Sequence, residues 1–336
     1  MKLALALIFA MVFYVYSNQV RAATNPLFQT IHIAPGCEDF AFDPHNEAPR
    51  LILSCDDRRQ SLSRGSIFEL DLKTHVFREL PILGIHLKSF HPHGISISQR
   101  DTKTFLYVIS HQWKQQSFEK KNFTDVLVFE IRKSGLNFVE NLGGKNQKMF
   151  ASPNDLVVLE NRDIFMTNPS SLNKSVLHYS HLLKKWSVAA TGYLYPNGIH
   201  FKDSKVFLTS SADGKFYSFD YQGSSTLRNR KLLHRSLGVI DNITQGMGQS
   251  LYFSGANNIQ SFLRHFRDPT FMSPSRAYRI KMGRLEKLRS PTLNRVISAP
   301  SVAFEYKGRL YLGQPFEDFI VMIPNPSWES VEDRNF

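Results

Sequence analysis

Past residue 24 the chain is a succession of short apolar runs, each closed off by Gly, Asn, Asp or Ser. Leu51–Ser54, Ser66–Leu72, Phe105–Ile109, Val126–Ile131, Val206–Thr209, Phe216–Phe219, Leu251–Phe253 and Arg309–Leu312 are the clearest. Several alternate apolar with polar, as in Phe68-Glu69-Leu70-Asp71-Leu72, the period of a strand with one face on a core. No stretch carries apolar residues at helical spacing over three turns. The pattern predicts an all-β protein.

Within it a short motif recurs: Pro, a polar or small residue, Gly, Asp or Val, then an apolar residue. It occurs as Pro92-His93-Gly94-Ile95, Pro153-Asn154-Asp155-Leu156, Pro196-Asn197-Gly198-Ile199 and Pro300-Ser301-Val302-Ala303. The last interval is about two repeats long, and Ile240-Asp241-Asn242-Ile243 falls midway as a degenerate copy. Cys37-Glu38-Asp39-Phe40 is an earlier one. Six copies, each with room for about four short strands, predict a six-bladed β-propeller. Little chain follows Ser301 for a whole blade, so the strand-like Phe28–Ile33 is expected to complete the last one.

The innermost strand of each blade lines a propeller's central channel, where equivalent positions converge. The second motif position reads Glu38, His93, Asn154, Asn197, Asp241, Ser301; the third reads Asp39, Gly94, Asp155, Gly198, Asn242, Val302. Carboxylates crowded on a narrow axis repel one another and are costly to desolvate. A cation resolves that, and an all-oxygen donor set suits a hard ion, calcium rather than zinc. His93 shares the position with these groups. His111 follows the strand Phe105–Ser110, near the mouth of a neighbouring strand.

Composition changes this picture little. The 336 residues are 42% hydrophobic and 21% charged, which excludes collagen-like, coiled-coil and wholly disordered chains. Lys and Arg exceed Asp and Glu by 12. Residues 1–23 read as a secretory signal peptide: Lys2, the uncharged apolar run Leu3–Tyr16, then small residues at 20–23. An uncleaved N-terminal anchor is the alternative. Export, periplasmic or extracellular, makes nucleic acid a poor partner for the basic charge and leaves weak attraction to an anionic membrane surface. Residues 24–336 then form one domain. In an oxidising compartment Cys37 and Cys55 permit one disulfide, provided the fold brings them together. The sequons at Asn122 and Asn173 matter only in a eukaryotic host.

The landmarks Glu38-Asp39, Pro92-His93-Gly94-Ile95-Ser96, Ser110-His111, Asn154-Asp155-Leu156-Val157, Asn197-Gly198-Ile199, Asp241-Asn242-Ile243 and Val302-Ala303 resemble the paraoxonase/arylesterase family, within the wider gluconolactonase-like calcium propellers. The resemblance implies two calcium ions. A catalytic one would be held by Glu38, Asn154, Asn197, Asp241 and Asn242. A structural one would use Asp39, Asp155 and the backbone carbonyl of Ile95. It also implies a catalytic pair, His93 activating water and His111 assisting it. The chain departs from the family at Pro169, where a family carboxylate falls, and lacks a C-terminal Cys for the family's long-range disulfide. Its loop Asp56-Asp57-Arg58-Arg59 is unusually charged.

These readings predict a calcium-dependent hydrolase of esters or lactones. The segment Ala256–Ser275, with Phe262, Leu263, Phe266, Phe271 and Met272, reads as an apolar rim favouring a hydrophobic substrate, or as a plain packed loop. A sugar-lactone hydrolase and a non-enzymatic propeller binding a ligand or protein are the rival readings.

Overall fold

The computed structural model describes residues 27–44, 48–60, 64–112, 123–143, 149–169 and 174–331. The expected leader and both sequon asparagines lie outside the described residues. The strands form six blades around a ring, antiparallel except for the short outer strand Ile82–Leu83, which runs parallel to Gly135–Asn141 in blade two. Their innermost strands are Cys37–Asp43, His91–Arg100, Leu156–Val158, Pro196–Lys202, Val239–Gln245 and Val302–Tyr306, each neighbouring the next and the sixth returning to the first. Every strand predicted from the apolar runs coincides with an observed strand, Ser66–Leu72 overrunning Ser66–Asp71 by one residue.

Blades pack face to face, so each buries both faces of its inner strands. That is why runs such as Leu51-Ile52-Leu53 are apolar throughout: successive side chains enter opposite neighbours, and all three are fully buried. Leu51 and Leu53 join Phe40, Val302 and Phe304 between blades six and one. Ile52 joins Ala41, Ile95, Leu106 and Val108 between blades one and two. Four further apolar layers fill the remaining junctions. Each such Leu, Ile or Phe contributes about 1.5–3 kcal/mol by leaving water.

Ring closure follows the expected route. Gln29–His32 pairs antiparallel with Phe319–Pro324, Gln29 opposite Met322 and His32 opposite Phe319, as the outermost strand of blade six. Not foreseen is Trp328–Ser330, which turns back as a fifth strand on blade five against Arg284–Leu288. Helix is confined to Ile259–Arg267 and the single turn Leu293–Val296 among the described residues. The first is only nine residues long, too short for the three-turn pattern the sequence lacks. No described helix is long and apolar enough to cross a membrane.

Candidate active site at the mouth of the channel

The recurring motif is a β-bulge. Strand register shifts between Cys37 and Asp39, Pro92 and Ile95, Pro196 and Ile199, and Ile240 and Ile243. In blade three the ladder starts only at Leu156, just past Asn154 and Asp155. A bulge takes one or two residues off the ladder and re-aims their side chains. It does so in four blades, and in blade three the motif lies just ahead of the ladder, in each case at the end where the innermost strand begins.

The glycines of the motif follow from the closeness of the blades there. A Cβ on Gly94 would lie 2.5 Å from the Asn154 carbonyl oxygen and the Asp155 Cα, and one on Gly198 2.5 Å from the Asp241 carbonyl oxygen. Instead Gly94 N–H donates to the Asn154 carbonyl at 2.9 Å. The deeper carboxylates fasten blades together. Asp39 accepts from the N–H of Phe40 at 2.8 Å and of Ile95, one blade on, at 2.7 Å. Asp155 accepts likewise from Leu156 at 2.7 Å and Ile199 at 2.8 Å. Between blades five, six and one, the Glu38 carbonyl accepts from Asn242 Nδ2 at 3.1 Å and Ser301 Oγ at 2.7 Å.

The structure gathers the predicted residues. Glu38, Asp39, Ile95, Asn154, Asp155, Asn197 and Asn242 are buried and Asp241 nearly so. The side-chain oxygens Oδ1 of Asn154, Asn197, Asp241 and Asn242 are buried without a hydrogen-bond partner. Burial raises the Asp241 carboxyl well above the usual range, with the charges of Glu38 and Asp39 adding to it. Asp155 is raised in the same way, by burial and then by Asp39. Burial also pushes Asp39 up, to about 7, against the lowering effect of its two N–H donors. Among the described residues no three His, Cys, Asp or Glu side chains form a compact metal-holding group. The upper oxygens here are mixed, with amides outnumbering carboxylates.

His93 and His111 meet as expected. His93 Nδ1 lies 2.8 Å from His111 Nε2, and His111 Nδ1 lies 3.2 Å from the Thr124 hydroxyl. His93 Nε2 faces Glu38 Oε1 at 3.0 Å. Burial keeps His111 well below its ordinary pKa, and the neighbouring His93 and Arg58 add to this. Neutral His111 then has one donor and one acceptor nitrogen, and the direction of its two hydrogen bonds is set by the proton on its partner.

Three residues at this site were given no individual role from the sequence. Arg58 donates from Nε to Glu38 Oε2 at 2.6 Å, from one terminal nitrogen to Asp56 Oδ2 at 2.9 Å, and from the other to the Pro92 carbonyl at 2.8 Å. Asp56 also faces the buried His91, whose Nδ1 is 3.2 Å from Oδ2. Glu38 is held well below the usual carboxylate range: burial alone would raise it, and His93 and Arg58 outweigh burial. The only hint in the sequence was the charge density of the Asp56–Arg59 loop. Pro169 is buried at the end of the strand Ile164–Asn168 and brings no titratable group.

Cys37 and Cys55 stand opposite each other in register on the first two strands and form a disulfide, with Cα atoms 3.9 Å apart. The residues that follow them are Glu38 and Asp56. Above the same end, the helix Ile259–Arg267 packs Phe262, His265 and Phe266 on Phe316. Arg59 secures it, lying 4.3 Å over the Phe316 ring and bonding the Glu317 carboxylate and the His265 carbonyl. Leu263, Phe266 and Met272 keep exposed apolar surface there. The expected rim is therefore a short helix and its flank.

Solved structures share the fold at low identity. A gluconolactonase from Xanthomonas campestris aligns with 88% of this chain and 89% of its own, with TM-score 0.57 and 13% identity. A luciferin-regenerating enzyme aligns over 91% and 98%, with TM-score 0.56 and 11% identity. A chain from a nidogen/laminin complex aligns over 75% and 82%, with TM-score 0.51 and 14% identity. No curated protein gives a significant sequence match. The family model Arylesterase matches residues 59–320, beginning just after Arg58 and ending in the last blade. That stretch is most of the chain and includes the histidine pair and five of the six motif copies, so the protein belongs to the arylesterase family.

Proposed function

We propose that the protein is a calcium-dependent hydrolase of carboxylic esters, of arylesterase or lactonase type, acting on a hydrophobic substrate at the upper mouth of the channel. One observation carries the reading. Four buried oxygens, on Asn154, Asn197, Asp241 and Asn242, have no hydrogen-bond partner, at positions of the recurring motif that in blade two brings His93 to His111. An unpartnered buried oxygen costs about 1–3 kcal/mol, and a hard cation would satisfy all four. Glu38, Asn154, Asn197, Asp241 and Asn242 would hold the catalytic ion, and Asp39, Asp155 and the Ile95 carbonyl the structural one. When bound, calcium supplies positive charge for the carbonyl oxygen of the scissile ester.

The chain's own groups handle the proton. With its proton on Nδ1, His93 donates to His111 Nε2, and His111 donates from Nδ1 to the Thr124 hydroxyl. Nε2 of His93 then carries a lone pair toward the channel and takes a proton from water. The opposite tautomer, with the proton on Nε2 held by Glu38, leaves no base. Glu38 must therefore release His93 for the pair to act. His111 is a positioning residue: it sets the tautomer. Leu263, Phe266 and Met272 offer the acyl or aryl part of a substrate an apolar surface. Export is part of the proposal, and the disulfide is consistent with an oxidising compartment.

The test is hydrolysis of phenyl acetate and a panel of aliphatic and acyl-homoserine lactones by purified protein, stripped of calcium and then resupplied. Calcium-dependent turnover is expected. No hydrolysis in either condition overturns the proposal.

A further inference from the structure

Arg58 touches the one carboxylate that all the chemistry at this site shares. Its three kinds of donor nitrogen are each committed, to Glu38 Oε2, Asp56 Oδ2 and the Pro92 carbonyl. The other Glu38 oxygen is committed to His93 Nε2. Both oxygens of Glu38 thus face donors from the chain, whereas the Oδ1 atoms of Asn154, Asn197, Asp241 and Asn242 face none. Glu38 stands apart from these four in this respect, and from Asp39 and Asp155 in that its donors are side chains rather than backbone N–H groups.

We propose that Arg58 is the chain's own counter-ion for Glu38 and competes with a divalent cation for that carboxylate. The inference rests on the calcium reading above and adds to it a residue outside the matched family stretch. The charge count agrees. Glu38, Asp39, Asp155 and Asp241 together match two divalent cations, and Asp56 then matches Arg58. Arg58 can let go of Glu38 and keep Asp56, because the two acids follow the two halves of one disulfide and hold their relative positions. Loading the channel exchanges the Arg58–Glu38 bond for a cation–Glu38 bond. The same exchange frees Glu38 from His93, which the base requires.

The experiment is calorimetric titration of calcium into the metal-stripped full-length protein, with wild type, Arg58→Gln, Arg58→Lys and Arg59→Gln compared at one pH and ionic strength. Arg58→Gln is expected to bind calcium roughly tenfold tighter or more, as site charge sets affinity, and to gain more in thermal midpoint on adding calcium. Arg58→Lys keeps the charge without the planar fork and should fall between; it also stands in if Arg58→Gln does not fold. Arg59→Gln removes a neighbouring charge that does not touch Glu38 and should leave affinity unchanged. Wild-type binding with equal or weaker binding by both Arg58 variants overturns this proposal and leaves the calcium reading intact. Equal tightening by Arg59→Gln also overturns it, since the effect would then be general charge. No binding by any form overturns both. Binding by Arg58→Gln alone supports both.

Discussion

His93 and His111 face each other with Nδ1 and Nε2 2.8 Å apart and ring planes at 65°. They come from adjacent antiparallel strands, and the contact exists because the bulge between Pro92 and Ile95 takes His93 out of register. In the ladder itself His111 is paired with His91, not His93. Under the proposed chemistry His93→Gln should lower kcat by about 10²–10⁴-fold with little change in thermal midpoint. His111→Gln should cost less, roughly 10–100-fold, as supporting residues do. Steady-state kinetics with a melting curve on each variant check this; a His93→Gln enzyme with near wild-type kcat would remove the base from His93.

Below the site, the channel opens into a cavity of about 310 Å³ whose lining includes Asp39, Phe42, Asp155, His200 and Phe201. Burial, which outweighs the bond to Gln245, pushes the His200 imidazole down to about 4. Between the ordinary pKa near 6.5 and that value, the unfolded chain binds a proton that the folded protein refuses. His200 therefore contributes fully above pH 6.5, and the contribution is lost as pH falls toward 4. Linkage puts the loss on the order of 3 kcal/mol. Urea unfolding of wild type and His200→Phe across that range should give a shallower acid limb for the variant. Parallel limbs would acquit His200.

The disulfide joins directly opposed strands, and its sequence neighbours are Glu38 and Asp56. Replacing both cysteines by Ser should cost about 3 kcal/mol for a loop of this size. Because the disulfide fixes the start of the strand that carries Glu38, which would hold the proposed catalytic ion, hydrolysis should fall by more than the loss of folded protein. Activity corrected for folded fraction by circular dichroism measures the difference.

The ring is closed by non-covalent pairing of Gln29–His32 with Phe319–Pro324. Deleting residues through His32 removes the buried Ile31 and bares a strand edge on the last blade. The expected result is a lower thermal midpoint and concentration-dependent aggregation on size-exclusion chromatography. A monomer of unchanged stability would show that the pairing does not hold the ring.

Gly94 and Gly198 each lie where a Cβ would meet the next blade's backbone at 2.5 Å. Neither neighbour can turn away as a flexible side chain would. Gly94→Ala should therefore destabilise by about 1–3 kcal/mol, the usual cost of overpacking, and so should Gly198→Ala. Chemical denaturation of each variant gives the figure.

The strands, the sixfold repeat and the polar identity of each motif position were legible in the sequence. These are local properties: turn residues and apolar runs mark strands wherever the chain goes, and a repeated motif implies repeated placement. Glu38, His93, Asn154, Asn197, Asp241 and Asn242 could be chosen because one motif recurs in register, and His111 through its nearness to His93 and the family resemblance. Ring closure through Phe28–Ile33 was legible as well, from the missing strand of the last blade.

The sequence marked the Asp56–Arg59 loop by its charge but not the contacts of Arg58 and Asp56, and neither His91 nor the return of Trp328–Ser330 to blade five was legible. Arg58 precedes Pro92 by 34 residues and follows Glu38 by 20, and no pattern within either interval ties them. A long flexible side chain in a loop reaches whatever acceptor the neighbouring blade presents. The sequence alone therefore determined which oxygens and imidazoles line the channel, since regular repeats carry them there. Only the tertiary structure decided which cation rests on Glu38, because that depends on how the loop after Cys55 folds back over the first strand of its own blade and onto Pro92 of the next.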